Sequence, residues 1–195
     1  MKQENVKNNI VVKSSSLFTK HGINGVRTED IAHHSGISKR TLYAHFESKE
    51  LLVQDVIFFQ IDLVRSESDR IRMEHPGVIE EFVALWNYVS GVIRVSNPNF
   101  LRDLRRNYPV SWQIMTHFKS EFRMEFLVAN LKKGIAQQVY RKDIDPGVIS
   151  VLWLEVMGFN FGEMKSRSEI SNHFLRGLLT ENGLELINSQ RFKAI

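Results

Sequence analysis

Four prolines cut the sequence into stretches that repeat apolar residues three and four positions apart, and this punctuation leaves little room for anything but helices. Pro76, Pro98, Pro109 and Pro146 each follow a polar run, and each biases the residue before it away from the helical region. Between them Ile79, Phe82, Val83, Trp86, Val89 and Ile93 form one helical stripe, and Met115, Phe118, Phe122 and Phe126 form another. Neither Asn24-Gly25 nor Asn182-Gly183 sits between alternating runs, so no hairpin is signalled. Val148 to Trp153 is the one strand-like stretch; without a partner strand nearby it reads as a buried helix. The expected fold class is all-α.

Composition narrows the function classes. A chain of 195 residues suits one ordinary domain, or a small domain joined to a larger one, and buries roughly 70% of its unfolded surface without staples. The absence of cysteine excludes disulfides, thiolate zinc sites and cysteine nucleophiles. The longest apolar stretch, Val148 to Phe161, is interrupted by Ser150, Glu155 and Asn160 and falls short of the ~20 residues a membrane span requires. No apolar core follows the first nine residues, so no secretory signal is readable. A cytoplasmic protein without a membrane partner is expected. No acid/base or nucleophile constellation supports an enzyme, and nothing calls for a cofactor. His33 and His34 are adjacent and point in different directions on a helix, which argues against a metal site, and Gly22-Ile23-Asn24-Gly25 reads as a helix-ending turn rather than a phosphate loop.

Charge is concentrated at the start. Residues 1–50 carry eight Lys/Arg against five Asp/Glu, whereas the remaining 145 carry 18 against 17. Such an imbalance points to a polyanion partner for the N-terminal part. That part divides into short helices: one ending near His21-Gly22, a second opened by Glu29 and Asp30 and stopped at Gly36, and a third capped by Ser38 and running from Lys39 to about Phe46. A fourth, capped by Ser48, continues to about Met73. The second and third, joined by Ser35-Gly36-Ile37-Ser38, make a helix-turn-helix arrangement. Lys39, Arg40 and Thr41 stand at the exposed start of the third helix. Tyr43 and His45 supply hydrogen-bond donors for phosphate oxygens, and Lys49 opens the next helix, where free amides favour an anion. Leu42 and Phe46 face inward.

The run Leu17-Phe18, Gly22, Ile31-Ala32, Gly36-Ile37-Ser38, Thr41-Leu42-Tyr43, His45-Phe46, Lys49-Glu50 and Leu52 resembles the N-terminal signature of TetR-family (tetracycline-repressor-type) transcriptional regulators. The resemblance covers about residues 10–52. It implies a three-helix DNA-binding domain, set here at residues 1–47, and a larger helical effector-binding and dimerisation domain at 48–195. It implies a homodimer that binds a palindromic site on double-stranded DNA and answers to a small-molecule effector. By position, Tyr43, His45 and Lys49 become phosphate contacts, and Lys39, Arg40 and Thr41, behind the Ser38 cap, become base readers. Two departures stand out. Lys13-Ser14 replaces a common alanine pair, and Arg27 stands where a hydroxyl residue usually caps the second helix, with Thr28 one place later. Arg27 and Thr28 therefore join the phosphate candidates. The alternative is a ligand-binding or interaction protein that keeps the fold without sequence-specific DNA binding; the intact Thr41, Tyr43, His45 and Lys49 argue against it.

The larger domain is rich in aromatic residues. Trp86, Trp112, Phe118, Phe122, Trp153 and Met157 lie in helical patterns that converge on one core, and they are the expected lining for a mainly apolar ligand. Glu81, Glu121 and Glu155 would favour a cation there, although a solvated surface explains them equally well. The run Arg102-Asp103-Leu104-Arg105-Arg106 reads as a solvated helix face or an ionic contact rather than a second basic patch. Dimerisation is expected through Val148–Glu163 and Ser168–Ser189, with Gly158 and Gly162 four apart and Phe159, Phe174, Leu178 and Leu179 supplying apolar contact.

Overall fold

The computed structural model describes residues 2–158 and 164–189. The expected contributions of Phe159, Phe161, Gly162 and Glu163 lie outside the described residues. Those described form α1 (Lys2–His21), α2 (Thr28–His34), α3 (Lys39–His45), α4 (Lys49–Glu74), α5 (Val78–Val95), α6 (Asn99–Asn107), α7 (Pro109–Phe122), a π-helical segment (Arg123–Val128), α8 (Ala129–Ala136), α9 (Pro146–Gly158), α10 (Met164–Leu178) and α11 (Glu181–Ser189). No strand occurs among them; Tyr140 and Leu179 form an isolated antiparallel bridge. The fold is all-α.

The prolines sit where their chemistry is harmless. Pro109 and Pro146 open α7 and α9, where a missing N–H costs no intrahelical bond, and Pro98 caps α6. The Asp145 carboxylate accepts the Val148 N–H at 3.0 Å and completes the start of α9. The strand-like run Val148 to Trp153 is helical, as expected, but it is not buried all round. Ser150 and Trp153 turn inward, whereas Val148, Val151 and Leu152 remain 64%, 47% and 48% exposed. Positions 148, 151 and 152 share one face of a helix, so this is a continuous apolar strip.

The chain divides into two compact units. The first comprises the described residues of Met1–Arg65 and Arg94–Lys119, so the three N-terminal helices share it with the start of α4, with α6 and with most of α7. Ile10, Phe18, Ile23, Ile31, Leu42, Leu52 and Leu104 fill its interior. Gly22 ends α1 at φ +76°, a left-handed backbone, and a Cβ there would lie 3.1 Å from the Asp103 carboxylate; both facts favour glycine. Gly36, at φ +68°, makes the turn between α2 and α3. The Ser38 hydroxyl accepts the Thr41 N–H at 3.0 Å, and the Ser48 hydroxyl accepts that of Leu51 at 3.2 Å, so both expected caps are made. Ser14, one of the departures from the resembled pattern, is fully buried and its hydroxyl has no partner among the described residues.

The second unit comprises the described residues of Ser66–Ile93 and Ser120–Ile195. Its aromatic core gathers Phe82, Trp86, Trp153 and Phe174. Trp86 and Trp153 meet edge to face at 5.7 Å, and Phe82 stacks on Phe174 at 6.1 Å. Beside it runs a buried polar chain. The Tyr140 hydroxyl donates to the Val78 carbonyl at 2.9 Å, Asn130 Nδ2 donates to the same carbonyl and to Glu81 Oε2, and Arg72 Nε reaches Glu81 Oε1 at 3.3 Å. Burial holds the Tyr140 phenol well above its ordinary pKa, so it stays a donor. Glu81, expected as a ligand-selecting acid, is therefore occupied within the fold. α4, a helix of 26 residues and about 39 Å long, contributes to both units, with its residues to Arg65 in the first, and α5 and α7 also have residues in each. No helix among the described residues is long and apolar enough to cross a membrane.

Candidate functional site

In the first unit the two short helices α2 and α3 present the charged residues that the sequence singled out. Arg27 is the N-cap of α2 in extended conformation and is exposed; its N–H is accepted by the Asp30 carboxylate at 2.8 Å. Arginine has no side-chain acceptor, so the three-residue-distant acid does the capping, and Thr28 begins the helix rather than capping it. Thr28 Oγ1 lies 3.3 Å from Glu29 Oε2.

On α3, Arg40 is exposed and makes no hydrogen bond or ion pair among the described residues. Lys39 pairs with Glu29 of α2, which raises the lysine pKa and lowers that of the carboxyl, and its Nζ lies 5.9 Å from the centre of the Tyr43 ring. Ser38 Oγ and Thr41 Oγ1 share a hydrogen bond at 2.8 Å, which fixes Thr41 against the cap. Tyr43 is 44% exposed and His45 is half-buried. Leu42 and Phe46 are buried, as their spacing requires. Arg40 is thus the unencumbered cation of α3, while Lys39 must release Glu29 before it meets another anion.

Lys49 is placed differently. Its Nζ donates to the Ile23 carbonyl at 2.7 Å and the Val26 carbonyl at 2.6 Å, and it lies 5.7 Å from the centre of the Phe18 ring. Burial holds its pKa below the usual lysine value, against the opposing pull of Asp103 and Asp30. The ammonium ties the start of α4 to the loop that launches α2. From α6, the Asp103 carboxylate accepts the Asn24 N–H of the same loop at 2.9 Å, and Asn107 Oδ1 accepts from Asn24 Nδ2 at 3.1 Å. Asn97 adds bonds to the Thr19 and Lys20 carbonyls at the end of α1. A cation from α4 and an anion from α6 therefore hold residues 22–26 from two sides. Sequence reasoning missed Asp103 in this role; the one signal was a single acid among arginines.

The residues expected to line an effector site are divided between the two units. Trp112 and Phe118 belong to the first unit; Trp86, Phe122, Trp153 and Met157 belong to the second. Trp112 is half-buried, with the Arg105 guanidinium and Lys119 Nζ each 6.0 Å from its ring. Phe118 is buried, with Arg65 5.8 Å from its ring. Phe122 stacks on Phe126 at 5.0 Å, and Met157 is buried. Trp86 and Trp153 fill core, yet Trp153, only 1% exposed, has an indole N–H with no acceptor among the described residues. A cleft of about 190 Å³ opens in the same unit between Val78, Ile79, Val139 and Leu186, below the ~300 Å³ at which ligand pockets begin. Leu178 and Leu179, expected at a dimer interface, are buried within the chain, and Phe174 is stacked on Phe82. Among the described residues no group of His, Asp and Glu is arranged to hold a metal.

Comparison with known proteins bears on this arrangement. The model of the family described as "Bacterial regulatory proteins, tetR family" matches residues 10–56, the segment from α1 into α4. The chain is 23% identical over 176 residues to the HTH-type transcriptional repressor KstR2 of Mycolicibacterium smegmatis, covering 83% of each sequence. Its fold is similar to that of a TetR-family transcriptional regulator from Cytophaga hutchinsonii (TM-score 0.79, 15% identity, covering 93% of this chain and 98% of the other). It is also similar to AibR, solved in complex with isovaleryl coenzyme A and operator DNA (TM-score 0.65, 16% identity, covering 89% and 98%).

Proposed function

Since the chain belongs to the TetR family of DNA-binding transcriptional regulators, we propose that it is a repressor that binds a palindromic operator as a homodimer and leaves it when a small, mainly apolar effector binds the second unit. The observation that carries this reading is the surface of α3. Ser38 caps it, Leu42 anchors it, and Arg40 stands exposed with its five N–H groups uncommitted. In this reading Arg40 forks onto a guanine O6 and N7, with Lys39 and Thr41 beside it, while Arg27, Thr28, Tyr43 and His45 grip phosphates. Lys49 acts by holding the loop before α2. The direction of control is taken from the similar KstR2, which is named a repressor.

Selection of bound duplexes from random DNA by the full chain tests the core of this reading. A two-fold symmetric motif is expected, with half-sites about one helical turn apart, ~34–36 Å. Arg40→Ala should relax preference at one base position per half-site, by ~1–3 kcal/mol, and leave the others intact. Recovery of the unselected pool would end the proposal.

The exposed strip Val148, Val151 and Leu152 on α9 supports the homodimer, because a helix face this apolar is unstable in water and a second copy supplies an identical face. Leu152→Glu is expected to turn the dimer into monomers at micromolar concentration in sedimentation, with helical content kept. A Leu152→Glu protein that sediments as a wild-type dimer would move the interface elsewhere.

For the effector, the unpartnered Trp153 indole N–H supports a ligand carrying one hydrogen-bond acceptor on an apolar body, lodged among Trp86, Trp153, Phe82 and Phe174. α4 carries the signal. Within the second unit Arg72 near its end donates to the Glu125 carbonyl at 2.6 Å, lies 4.3 Å over the Phe126 ring and pairs with buried Glu81. An effector that displaces these partners moves the end of α4 and, through it, the spacing of the recognition helices. A coupling of ~1–3 kcal/mol suffices for release.

A further inference from the structure

We infer that the outer face of α6, through Arg102 and Arg106, is a second DNA-phosphate contact that widens the footprint beyond the helix-turn-helix. This inference rests on the DNA-binding reading above and extends its interface. The first observation is placement. α6 belongs to the same compact unit as α1–α3, and it is joined to the loop before α2 by Asp103 and Asn107, both bonded to Asn24. Arg106 is the neighbour of Asn107. Arg27, a phosphate candidate, follows Asn24 by three residues, at most about 11 Å along the chain.

The second observation is charge. Residues 94–119 contribute Arg94, Arg102, Arg105, Arg106 and Lys119 against the single acid Asp103, so this recruited segment is as cationic as the whole chain, whose net charge is +4. That one acid is buried with Phe100 and Leu104, which leaves no exposed acid on the helix. Arg102 and Arg106 are four apart, share a face, are exposed, and make no hydrogen bond or ion pair among the described residues. Arg105 is set apart by its place over Trp112.

The third observation is contrast. Arg70 is matched by Glu67 and Glu74, Arg141 by Asp143, and Arg72 by Glu81, all in the second unit. Those three guanidinium groups have acidic partners, whereas Arg102 and Arg106 on α6 face each other across one helical turn and repel. A phosphodiester backbone resolves the repulsion, because planar guanidinium groups pair with phosphate in forked geometry. The sequence alone favoured a solvated face or an ionic contact to a neighbour, since it does not show that Asp103 turns inward.

The test uses the full chain and a labelled duplex of arbitrary sequence, titrated by fluorescence anisotropy between about 50 and 200 mM salt. If both arginines of each protomer contact phosphate, the dimer loses four contacts in R102Q/R106Q, and the slope of log affinity against log salt should fall by about 3.6, at about 0.9 per contact. Over that fourfold change in salt, the ratio of wild-type to variant affinity then shrinks about a hundredfold. R102K/R106K should keep the wild-type slope. A glutamine variant with the wild-type slope overturns the inference, as does an equal loss in both variants at every salt, which would make these arginines structural. Wild-type protein that binds no duplex at the lowest salt would sink the DNA-binding reading itself, and this inference with it.

Discussion

Trp153→Ala is expected to cost about 3–5 kcal/mol of unfolding free energy, whereas Trp153→Phe should cost within about 1 kcal/mol of nothing. The indole is 1% exposed and is held edge-on by Trp86 at 5.7 Å and by Phe82 at 6.5 Å. Truncation to alanine empties that space in a core that has little freedom to collapse. Phenylalanine keeps most of the ring and removes the N–H, a donor that is buried without an acceptor among the described residues. The lost volume and the relieved donor act in opposite directions. Leaving a buried donor unsatisfied costs about 1–3 kcal/mol, and the missing ring atoms cost about the same. Urea unfolding of the two variants gives the comparison directly. The phenylalanine variant also separates stability from control, since all three tryptophans lie beyond the helix-turn-helix and report on ligand by emission. A compound that quenches wild-type emission and releases DNA should need about tenfold more to release the phenylalanine variant, because that variant lacks the proposed donor. If phenylalanine unfolds as easily as alanine, the N–H is not the strained element and the proposed effector loses its anchor.

Helix boundaries were legible in the sequence wherever a cap or a breaker is a local matter. Ser38, Ser48, Gly22, Gly36 and the four prolines act within three or four residues of themselves, and all stand where that chemistry put them. Burial was legible where one face of a helix has one partner, as for Leu42 and Phe46. Partners distant in sequence were not. Nothing local shows that Lys49 reaches back to carbonyls 23 and 26 residues earlier, or that Asp103 meets Asn24 across 79 positions. Nor does periodicity say that Trp112 and Trp86 belong to different units, because a helical stripe specifies a face and not the neighbour it meets. α9 shows the same limit from the other side. Its near-uniform apolarity reads as complete burial, yet its Val148–Val151–Leu152 face is left open, because apolarity gives a preference for burial and not the neighbour that supplies it.

Lys49→Met should separate a phosphate contact from a structural tether. The resemblance to TetR-type regulators makes Lys49 a phosphate contact, but its ammonium here donates to the Ile23 and Val26 carbonyls. Methionine keeps an apolar stem over Phe18 and loses both charge-assisted bonds, which should destabilise the first unit by about 2 kcal/mol. The loop of residues 22–26 launches α2, so its loosening adds the cost of ordering Arg27 and Thr28 when they meet DNA, and affinity for every duplex should fall. The number of phosphates neutralised by the other cations does not change, so the slope of log affinity against log salt should stay at the wild-type value. Had the ammonium been spent on a phosphate in each protomer, the slope would drop by about 1.8 for the dimer and the unfolding free energy would hardly move. The two roles thus predict opposite pairs of outcomes from one variant, read by salt titration and urea unfolding on the same preparation. Asp103→Asn provides the second arm, because it reaches the same loop from α6 with no cation to offer DNA. Weaker binding with an unchanged salt slope in both variants would establish that the loop, clamped from α4 and α6, sets the position of the helix-turn-helix. A lower slope and intact stability in Lys49→Met would return Lys49 to the phosphate backbone.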